Sequence, residues 1–376
     1  MGLDTLKNLS KIPTRVLMLE DIPVLAFNLM SGSFAVYREE LVPYSIREMD
    51  NLYYPDKSAE YISRVRDWLL RRMFPIERDN SKILSMLAGV AQSVTSSSKL
   101  RFVLATYAVS LIDSYWVKTE SEDIAYAKVS LYSTGRFNIS SYTLLGEVPT
   151  LEVVKSLLTN NSHPDFSTDG MFPKSWVYEN GEWFLYKTDK TTDKINTISE
   201  VEAYNIAKCF TGLQVAEYKL VDLNGTLCSK CKCIHKDGYS VIHCSELYEF
   251  CSNNGLEYED TVNLLFNKSL ANMIVYDYLV FNTDRHIDNY SFFMNNETGN
   301  IEGLTPMYDL NQALVALKFG KKDDDVLTQI FCNRDTMKEV LLRYKNKATL
   351  RYNGDVLSDN ETLNNQLLEV INELQL

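Results

Sequence analysis

The chain has 376 residues, enough for two or three domains, and its 45% hydrophobic and 23% charged residues are the proportions of an ordinary globular protein. Its formal net charge of −12 argues against a surface built to hold duplex DNA, because neutralising phosphates requires clustered Lys and Arg. The N-terminal residues lack the apolar core of a signal peptide, and the most apolar stretch, 102–112, is shorter than the ~20 residues of a membrane span. We therefore expect a cytoplasmic protein that contacts neither a membrane nor nucleic acid directly.

The first part of the chain shows regular elements but no motif. Short strands are predicted within 20–40, an amphipathic helix at 58–75 and a further apolar helix at 100–114. The arginines of the first helix are Arg64, Arg66, Arg71 and Arg72. In a chain this acidic, we interpret them as a solvated helix face rather than a nucleic-acid patch.

From residue 161 the pattern changes to a small sheet followed by helices. The runs SWVY and WFLYK flank Asn180-Gly181, which predicts a hairpin because Asn-Gly supplies the positive φ values of a tight turn. A helix is predicted at about 199–211, with Ser199 as its N-cap, and two or three strands follow it. Further helices are predicted at 260–266 and 269–280.

Five of the seven cysteines lie between Cys228 and Cys251, with two histidines nearby. Zinc sites use such ligands, but this spacing fits no standard pair-plus-pair pattern. Reduced cysteines in a half-buried sheet are the favoured interpretation, and a zinc site is the alternative.

The stretch FNTDRHIDNYSFFMNNETGNIEGLTPMYDL, residues 281–310, carries the chemistry. Asp284 and Asn289 lie in a loop, and two strand-like runs lead from there to Asp309. Phosphoryl transfer needs one carboxylate to orient and deprotonate the attacking hydroxyl, and an oxygen ligand with a second carboxylate to hold Mg²⁺ against ATP. Because a hairpin returns the chain to the end where it began, we expect these three side chains to converge.

The residues NTDRHIDN followed by TPMYDL resemble the C-terminal domain of the HipA-like serine/threonine kinases, whose catalytic loop reads D-R-H-x-x-N and whose metal aspartate lies in Y-D. The resemblance covers 161–315. It implies an α+β, two-lobed protein-kinase-like fold that uses ATP and Mg²⁺. A small β-rich N-lobe would occupy 161–250 and a helical C-lobe with the catalytic loop 251–376. An additional N-terminal region of unassigned function would occupy 1–160.

The resemblance also implies roles for individual residues. By position in the motif, Asp284 is the catalytic base, whereas Asn289 and Asp309 are the metal ligands. The stretch TDGMFPKSW is similar to the phosphate loop of the family, which implies Gly170 and Lys174 as nucleotide-binding residues.

Lys187 ends the second hairpin strand, where kinases place the lysine that binds the α- and β-phosphates. Its acidic partner is expected from the following helix, where Glu200 and Glu202 both qualify. Glu202 is preferred because it aligns better with the family, although its capping-box pattern with Ser199 would be a purely structural role.

Members of the family can autophosphorylate a serine just before the phosphate-loop glycine. Ser167 stands three residues before Gly170, with Thr168 beside it. A phosphate there would repel the phosphates of ATP, so we expect the modification to be inhibitory.

The family includes toxins of bacterial toxin–antitoxin pairs that phosphorylate proteins of translation, which implies a protein substrate and an antitoxin partner. Two alternatives stay open. One is a catalytically silent, nucleotide-binding regulatory protein that acts through its first 160 residues. The other is a metal-dependent phosphohydrolase that uses Asp284, His286, Asp288 and Asp309. A silent regulator would be indicated by the loss of a catalytic residue, but every expected position is filled. A phosphohydrolase would not explain the hairpin or Lys187.

Overall fold

The computed structural model of the chain describes residues 14–49, 58–90, 95–160, 163–321, 323 and 325–376. Helices and small antiparallel sheets alternate along it, which confirms the predicted α+β class. The chain separates into two compact units. Unit 1 comprises the described residues up to Tyr178 together with His235–Ser240 and Met294–Asn300, and unit 2 comprises Glu179–Ile234, Val241–Phe293 and Ile301–Leu376. The division into 1–160, 161–250 and 251–376 stays a prediction.

Unit 1 contains a four-stranded antiparallel sheet. Its strand order is Phe34–Val36, Ile22–Phe27, Arg15–Leu19 and Tyr115–Thr119. The predicted strands within 20–40 are present. The strand Tyr115–Thr119 follows a helix that ends at Ala105, so the predicted helix at 100–114 is too long. Both Tyr107 and Ala108 have positive φ, which a helix cannot accommodate.

Unit 1 also contains short helices. The α-helices are Ser58–Leu70, Ser81–Leu87, Ser96–Ala105, Ser140–Thr143 and Leu151–Asn160, and the 3₁₀ helices are Glu39–Leu41, Tyr126–Lys128 and Pro164–Ser167. The first helix buries Ile62, Val65 and Leu69 as its periodicity predicts. The helix ends at Leu70, so the predicted helix at 58–75 is too long. The interpretation of the four arginines as a solvated helix face is wrong for Arg72, which follows the helix, is buried and makes a bidentate ion pair with Asp113 at 2.8 and 3.0 Å.

The two later segments of unit 1 are held to its sheet by buried polar groups. Ser240 Oγ accepts a hydrogen bond from Ser114 N at 3.1 Å and donates to Asn296 Oδ1 at 2.8 Å. Asn296 Nδ2 in turn donates to Glu20 Oε1 at 2.7 Å. These segments therefore complete unit 1 although they lie far along the chain.

Unit 2 begins at the predicted hairpin turn. Strands Lys174–Glu179 and Glu182–Lys187 flank Asn180 and Gly181, whose φ values are 51° and 89°. In unit 2, Thr226–Lys232 pairs antiparallel with both Glu182–Lys187 and Tyr218–Leu223. A smaller sheet of unit 2 is made of Phe210–Thr211 and Arg351–Tyr352. The strands Tyr239–His243, Ser291–Asn295 and Ile301–Leu304 form a further three-stranded sheet.

The α-helices of unit 2 are Ile195–Ala207, Cys244–Asn254, Tyr258–Leu279, Val315–Lys318, Met337–Tyr344 and Glu361–Leu374, with a 3₁₀ helix at Lys345–Lys347. The helix Tyr258–Leu279 is interrupted at Asn267, whose φ is 28° and ψ −96°, so the two helices predicted there are confirmed. Its second half is buried on all sides, which makes it the centre of this unit.

Candidate active site

Lys187 lies between two carboxylates. Its Nζ is 2.8 Å from Glu200 Oε1 and 2.8 Å from Asp309 Oδ1. Glu200 is 1% exposed, whereas the side chain of Asp309 is 21% exposed. Burial alone would lower the pKa of Lys187, but the negative charges of Asp309 and Glu200 outweigh it and raise that pKa above its ordinary value. The lysine is therefore a fixed positive charge.

The preference for Glu202 as the partner of Lys187 is wrong. Glu202 instead pairs with Lys318 at 2.5 Å, while Ser229 Oγ donates to the second oxygen of Glu200 at 2.6 Å. Successive helical residues are rotated by about 100°, so positions 200 and 202 face opposite sides. The helix also begins at Ile195, with Lys194 as its N-cap, which places Ser199 inside the helix rather than at its start.

The loop after the long helix holds Asp284 and Asn289. Asn289 Nδ2 donates to Asp284 O at 2.8 Å, and Asn289 N donates to His286 O at 2.8 Å. The pKa of Asp284 is raised, chiefly by burial; the negative charge of Asp309 adds to the rise, and the positive charge of Lys187 opposes it. These mutual influences show that the structure brings Asp284 into the electrostatic neighbourhood of the Lys187 and Asp309 pair.

Arg285 connects the two loops of the site, a role that sequence reasoning missed. It is 1% exposed and its Nε and Nη2 donate to the carboxylate of Asp277 at 2.8 and 3.1 Å. Its Nη1 donates to the carbonyl oxygens of both Asn289 and Tyr308, the latter at 2.8 Å. A single buried guanidinium thus positions the end of the loop 284–289 and the residue before Asp309.

Two tyrosines also hold this region, and sequence reasoning missed them as well. Asp309 has a φ of 56°, an uncommon backbone conformation for a residue with a side chain, and its N–H donates to the Tyr218 hydroxyl at 3.2 Å. The Tyr308 hydroxyl lies 3.1 Å from His243 Nδ1 and donates to Asp288 O at 3.3 Å. Both rings belong to one apolar cluster, so packing fixes the hydroxyl positions.

The predicted phosphate loop lies in unit 1. Gly170 has a φ of 94°, and a Cβ placed on it would come within 2.1 Å of Lys174 Nζ. That amine donates to Asp169 O at 2.8 Å, and the lysine is buried. The backbone conformation at Gly170 favours glycine, and the lack of a side chain there leaves room for the lysine amine. The approach of this loop to Lys187 stays a prediction.

The candidate phosphorylation residues lie just before this loop. Ser167 Oγ donates to Pro164 O at 3.3 Å, and Thr168 Oγ1 donates to the same oxygen at 2.7 Å. Thr168 Oγ1 also accepts from Trp176 Nε1 at 2.8 Å. Both hydroxyls are half-buried, so phosphorylation of either would break a contact that orders this turn.

Cysteines between Cys228 and Cys251 are all buried thiols. Burial raises the pKa of Cys228 to about 11 and that of Cys231 to about 12, which disfavours the thiolate that binds zinc. Among the residues that the structure describes, no group of three or more His, Cys, Asp or Glu side chains is arranged to hold a metal ion. The predicted magnesium ligands, Asn289 and Asp309, are one amide and one carboxylate and so stay a prediction.

No protein-family model and no curated protein sequence matches the chain. Among solved structures, it is similar to HipA of Shewanella oneidensis MR-1 in a complex with HipB and its operator DNA. That similarity has a TM-score of 0.51 and 13% identity, and it covers 96% of this chain and 89% of that one. The chain is also similar to the proinflammatory kinase CtkA of Helicobacter pylori, with a TM-score of 0.35 and 17% identity over 54% of this chain and 90% of that one.

The chain therefore has a HipA-like fold, as the sequence resemblance implies. The HipA structure contains operator DNA, so the expectation of no direct contact with nucleic acid is not borne out by this comparison. Within the described ranges, no helix is long and apolar enough to cross a membrane.

Proposed function

We propose that the chain is an ATP- and Mg²⁺-dependent protein serine/threonine kinase of the HipA-like type. The observation that carries the proposal is the buried Lys187 between Glu200 and Asp309, with the carboxylate of Asp284 electrostatically coupled to the same group. Kinases use a lysine–glutamate pair, a metal aspartate and a catalytic-loop aspartate in this combination. The HipA-like fold supports the same function.

The residues present suit magnesium and ATP. Carboxylate and amide oxygens are the ligands that Mg²⁺ prefers, and Asp309 and Asn289 supply one of each. Because the amide nitrogen of Asn289 donates to Asp284 O, its amide oxygen is the atom left for the metal. A lysine ammonium has three hydrogens, and Lys187 uses two on Glu200 and Asp309, which leaves one for a phosphate oxygen. When bound, Mg-ATP supplies the phosphoryl group and a cation that neutralises its charge.

Asp284 then acts as the base. Its raised pKa makes the carboxylate a better acceptor for the proton of a substrate hydroxyl. Arg285 donates to the carbonyl oxygens of Asn289 and Tyr308, which fixes the position of the loop with Asp284 relative to that of Asp309. Lys187 and Glu200 fix the position of the nucleotide.

The finer parts of the proposal extend to unit 1 and to partners. Gly170 and Lys174 form the phosphate loop, and Ser167 is the site of inhibitory autophosphorylation. The substrate is a protein, with those of the translation machinery as the first candidates, and an antitoxin-type protein is the regulatory partner. With a net charge of −12, the chain would contact operator DNA chiefly through such a partner. We place this protein in the bacterial cytoplasm.

The test is label transfer from γ-labelled ATP to protein in the presence of Mg²⁺. Wild-type protein should transfer label, and Asp284→Ala should slow transfer by about 10²–10⁴-fold, the usual contribution of a general base. Asp309→Asn should abolish transfer. Asp288→Asn is the matched control, because this carboxylate lies on the same loop but is about half exposed, at 46%.

Three results would contradict the proposal. ATP binding without transfer under any condition supports a silent nucleotide-binding regulator. Metal-dependent hydrolysis of a phosphoester without ATP, abolished equally by Asp288→Asn, supports a phosphohydrolase. Transfer that survives Asp309→Asn refutes the assignment of the metal carboxylate.

A further inference from the structure

A segment of the N-terminal region runs beside the predicted phosphate loop within unit 1. Phe74 N donates to Phe166 O at 2.9 Å, and Asp79 N donates to Met171 O at 3.1 Å. The segments 74–79 and 166–171 are therefore joined by a backbone hydrogen bond at each end. Residues 74–79 follow the arginine-bearing helix, in the part of the chain for which the sequence gives no function.

Arg78 adds side-chain contacts to the same loop. It is 1% exposed, its Nη1 donates to Thr168 O at 3.3 Å and its Nη2 donates to Lys174 O. These carbonyl groups lie on either side of Gly170. One guanidinium therefore fixes the distance between the two ends of the loop.

The chemistry of this arginine is unusual for a purely structural residue. Its hydrogen bonds in the described chain are to carbonyl oxygens rather than to a carboxylate, and its Nε is buried with no hydrogen-bond partner there. Burial lowers the pKa of Arg78 to about 10, and the charges of Asp165 and Asp169 partly offset that effect, so it is charged at neutral pH. Burying a charge with incomplete pairing costs stability that an apolar side chain would not.

The far side of the loop is anchored by a buried carboxylate. Asp165 is fully buried; its oxygens accept from Ser175 Oγ at 2.8 Å and from Trp176 N at 2.7 Å. Arg78 therefore binds the carbonyl group of Lys174, and Asp165 binds the two residues that follow it. The backbone that carries the lysine is fixed, while its amine lies over Gly170.

We propose that Arg78 is a positioning residue for nucleotide binding, which clamps the loop 168–174 from the N-terminal region so that its backbone and Lys174 are preorganised for the phosphates of ATP. The proposal rests on the proposed function, because that function assigns Gly170 and Lys174 to the nucleotide. It gives residues 74–79 a role in the binding of the nucleotide. A preordered loop binds its ligand without the entropy loss of ordering, so the clamp should act on affinity rather than on the chemical step.

The experiment compares Arg78→Lys with Arg72→Lys, two buried arginines of unit 1 of which only the first contacts the loop. The first readout is hydrogen–deuterium exchange of the amides in 168–174, and the second is Mg-ATP affinity with kcat and KM measured separately. Arg78→Lys should speed exchange in this segment and weaken ATP binding about tenfold, the effect of losing one charge-assisted hydrogen bond. Its kcat should stay within about twofold of wild type, because the catalytic groups are untouched. Arg72→Lys should change neither the exchange nor the affinity.

The outcomes separate the clamp from the proposed function. If Arg78→Lys and Arg72→Lys give the same exchange in 168–174 and the same ATP affinity, the clamp is refuted while the kinase assignment stands. A fall in kcat at unchanged KM for Arg78→Lys also refutes it. If wild-type protein transfers no phosphate and binds no ATP, the proposed function fails, and the role of the clamp in nucleotide binding fails with it.

Discussion

Replacing Arg285 with methionine should remove most of the stability of unit 2. Asp277 is buried, and without the guanidinium its carboxylate keeps, among the described residues, only the hydrogen bond from Asn282 Nδ2 at 2.8 Å. Breaking a buried ion pair in this way costs about 3–5 kcal/mol. The carbonyl oxygens of Asn289 and Tyr308 also lose their donor, at about 1–3 kcal/mol each. A typical domain has a total stability of about 5–15 kcal/mol, so this variant should be close to unfolded.

A double variant separates the charge from the carbonyl contacts. Asp277→Asn combined with Arg285→Met removes the uncompensated charge and keeps an amide oxygen for Asn282. It should recover about 3 kcal/mol of the free energy of unfolding relative to Arg285→Met alone. Urea denaturation followed by circular dichroism measures this difference. Phosphoryl transfer should not recover, since the two carbonyl oxygens still lack their donor.

The opposite result would refute the reasoning. If the double variant is no more stable than Arg285→Met, the charge of Asp277 is not the main source of the loss. If the double variant regains transfer, the contacts of Arg285 with the two loops do not position the site.

Two further predictions concern the metal and the base. Tyr218→Phe removes the acceptor for Asp309 N, worth about 1 kcal/mol, so the Mg²⁺ concentration that half-saturates transfer should rise about fivefold. A magnesium titration of phosphoryl transfer checks this. Tyr204→Phe is the control, because its ring lies 6.4 Å from that of Tyr218, and its half-saturating Mg²⁺ concentration should equal that of wild type. Equal shifts in both variants would contradict the prediction. The raised pKa of Asp284 means that the base becomes protonated at a higher pH than an ordinary aspartate. As pH falls, kcat/KM should therefore decrease with an apparent pKa above the ordinary value of 3.8. A decrease with an apparent pKa at or below 3.8 would count against Asp284 as the base.

The elements of the fold and site that the sequence could predict are those that short, local patterns indicate. The turn Asn180-Gly181 determines where the strand with Lys187 begins, because only a positive-φ turn joins two strands so tightly. The break at Asn267 lies between the helices predicted at 260–266 and 269–280, so both helices could be located, although the second is buried on all sides.

Glu200 and Glu202 both qualify from the sequence, and alignment with the family favours Glu202, which the structure contradicts. Ser199 followed by Glu202 is a capping-box pattern, but the helix already begins at Ile195 and Ser199 lies in its second turn. The two glutamates lie on opposite sides of this helix, so only one of them can face Lys187, and no short pattern in the sequence shows which one.

The remaining contacts join residues that no short pattern connects. Arg285 reaches back to Asp277 across the end of a helix, and Arg78 contacts Lys174, which lies 96 positions later. Such pairs depend on tertiary packing rather than on propensity. The same holds for Tyr115–Thr119, which joins the first sheet from a distance of about a hundred residues and so lacks a local partner to indicate it.

The segments His235–Ser240 and Met294–Asn300 have a consequence for biosynthesis. Unit 1 contains the part of the chain that is synthesised first. The buried hydrogen bonds of its Glu20 and Ser114 can form only after Ser240 and Asn296 have been synthesised. Domains made of continuous sequence fold one after another as they leave the ribosome. Here the earlier unit can close only once residue 300 has emerged, so the two units should mature nearly together, and a nascent chain stalled before that point should remain sensitive to protease throughout unit 1.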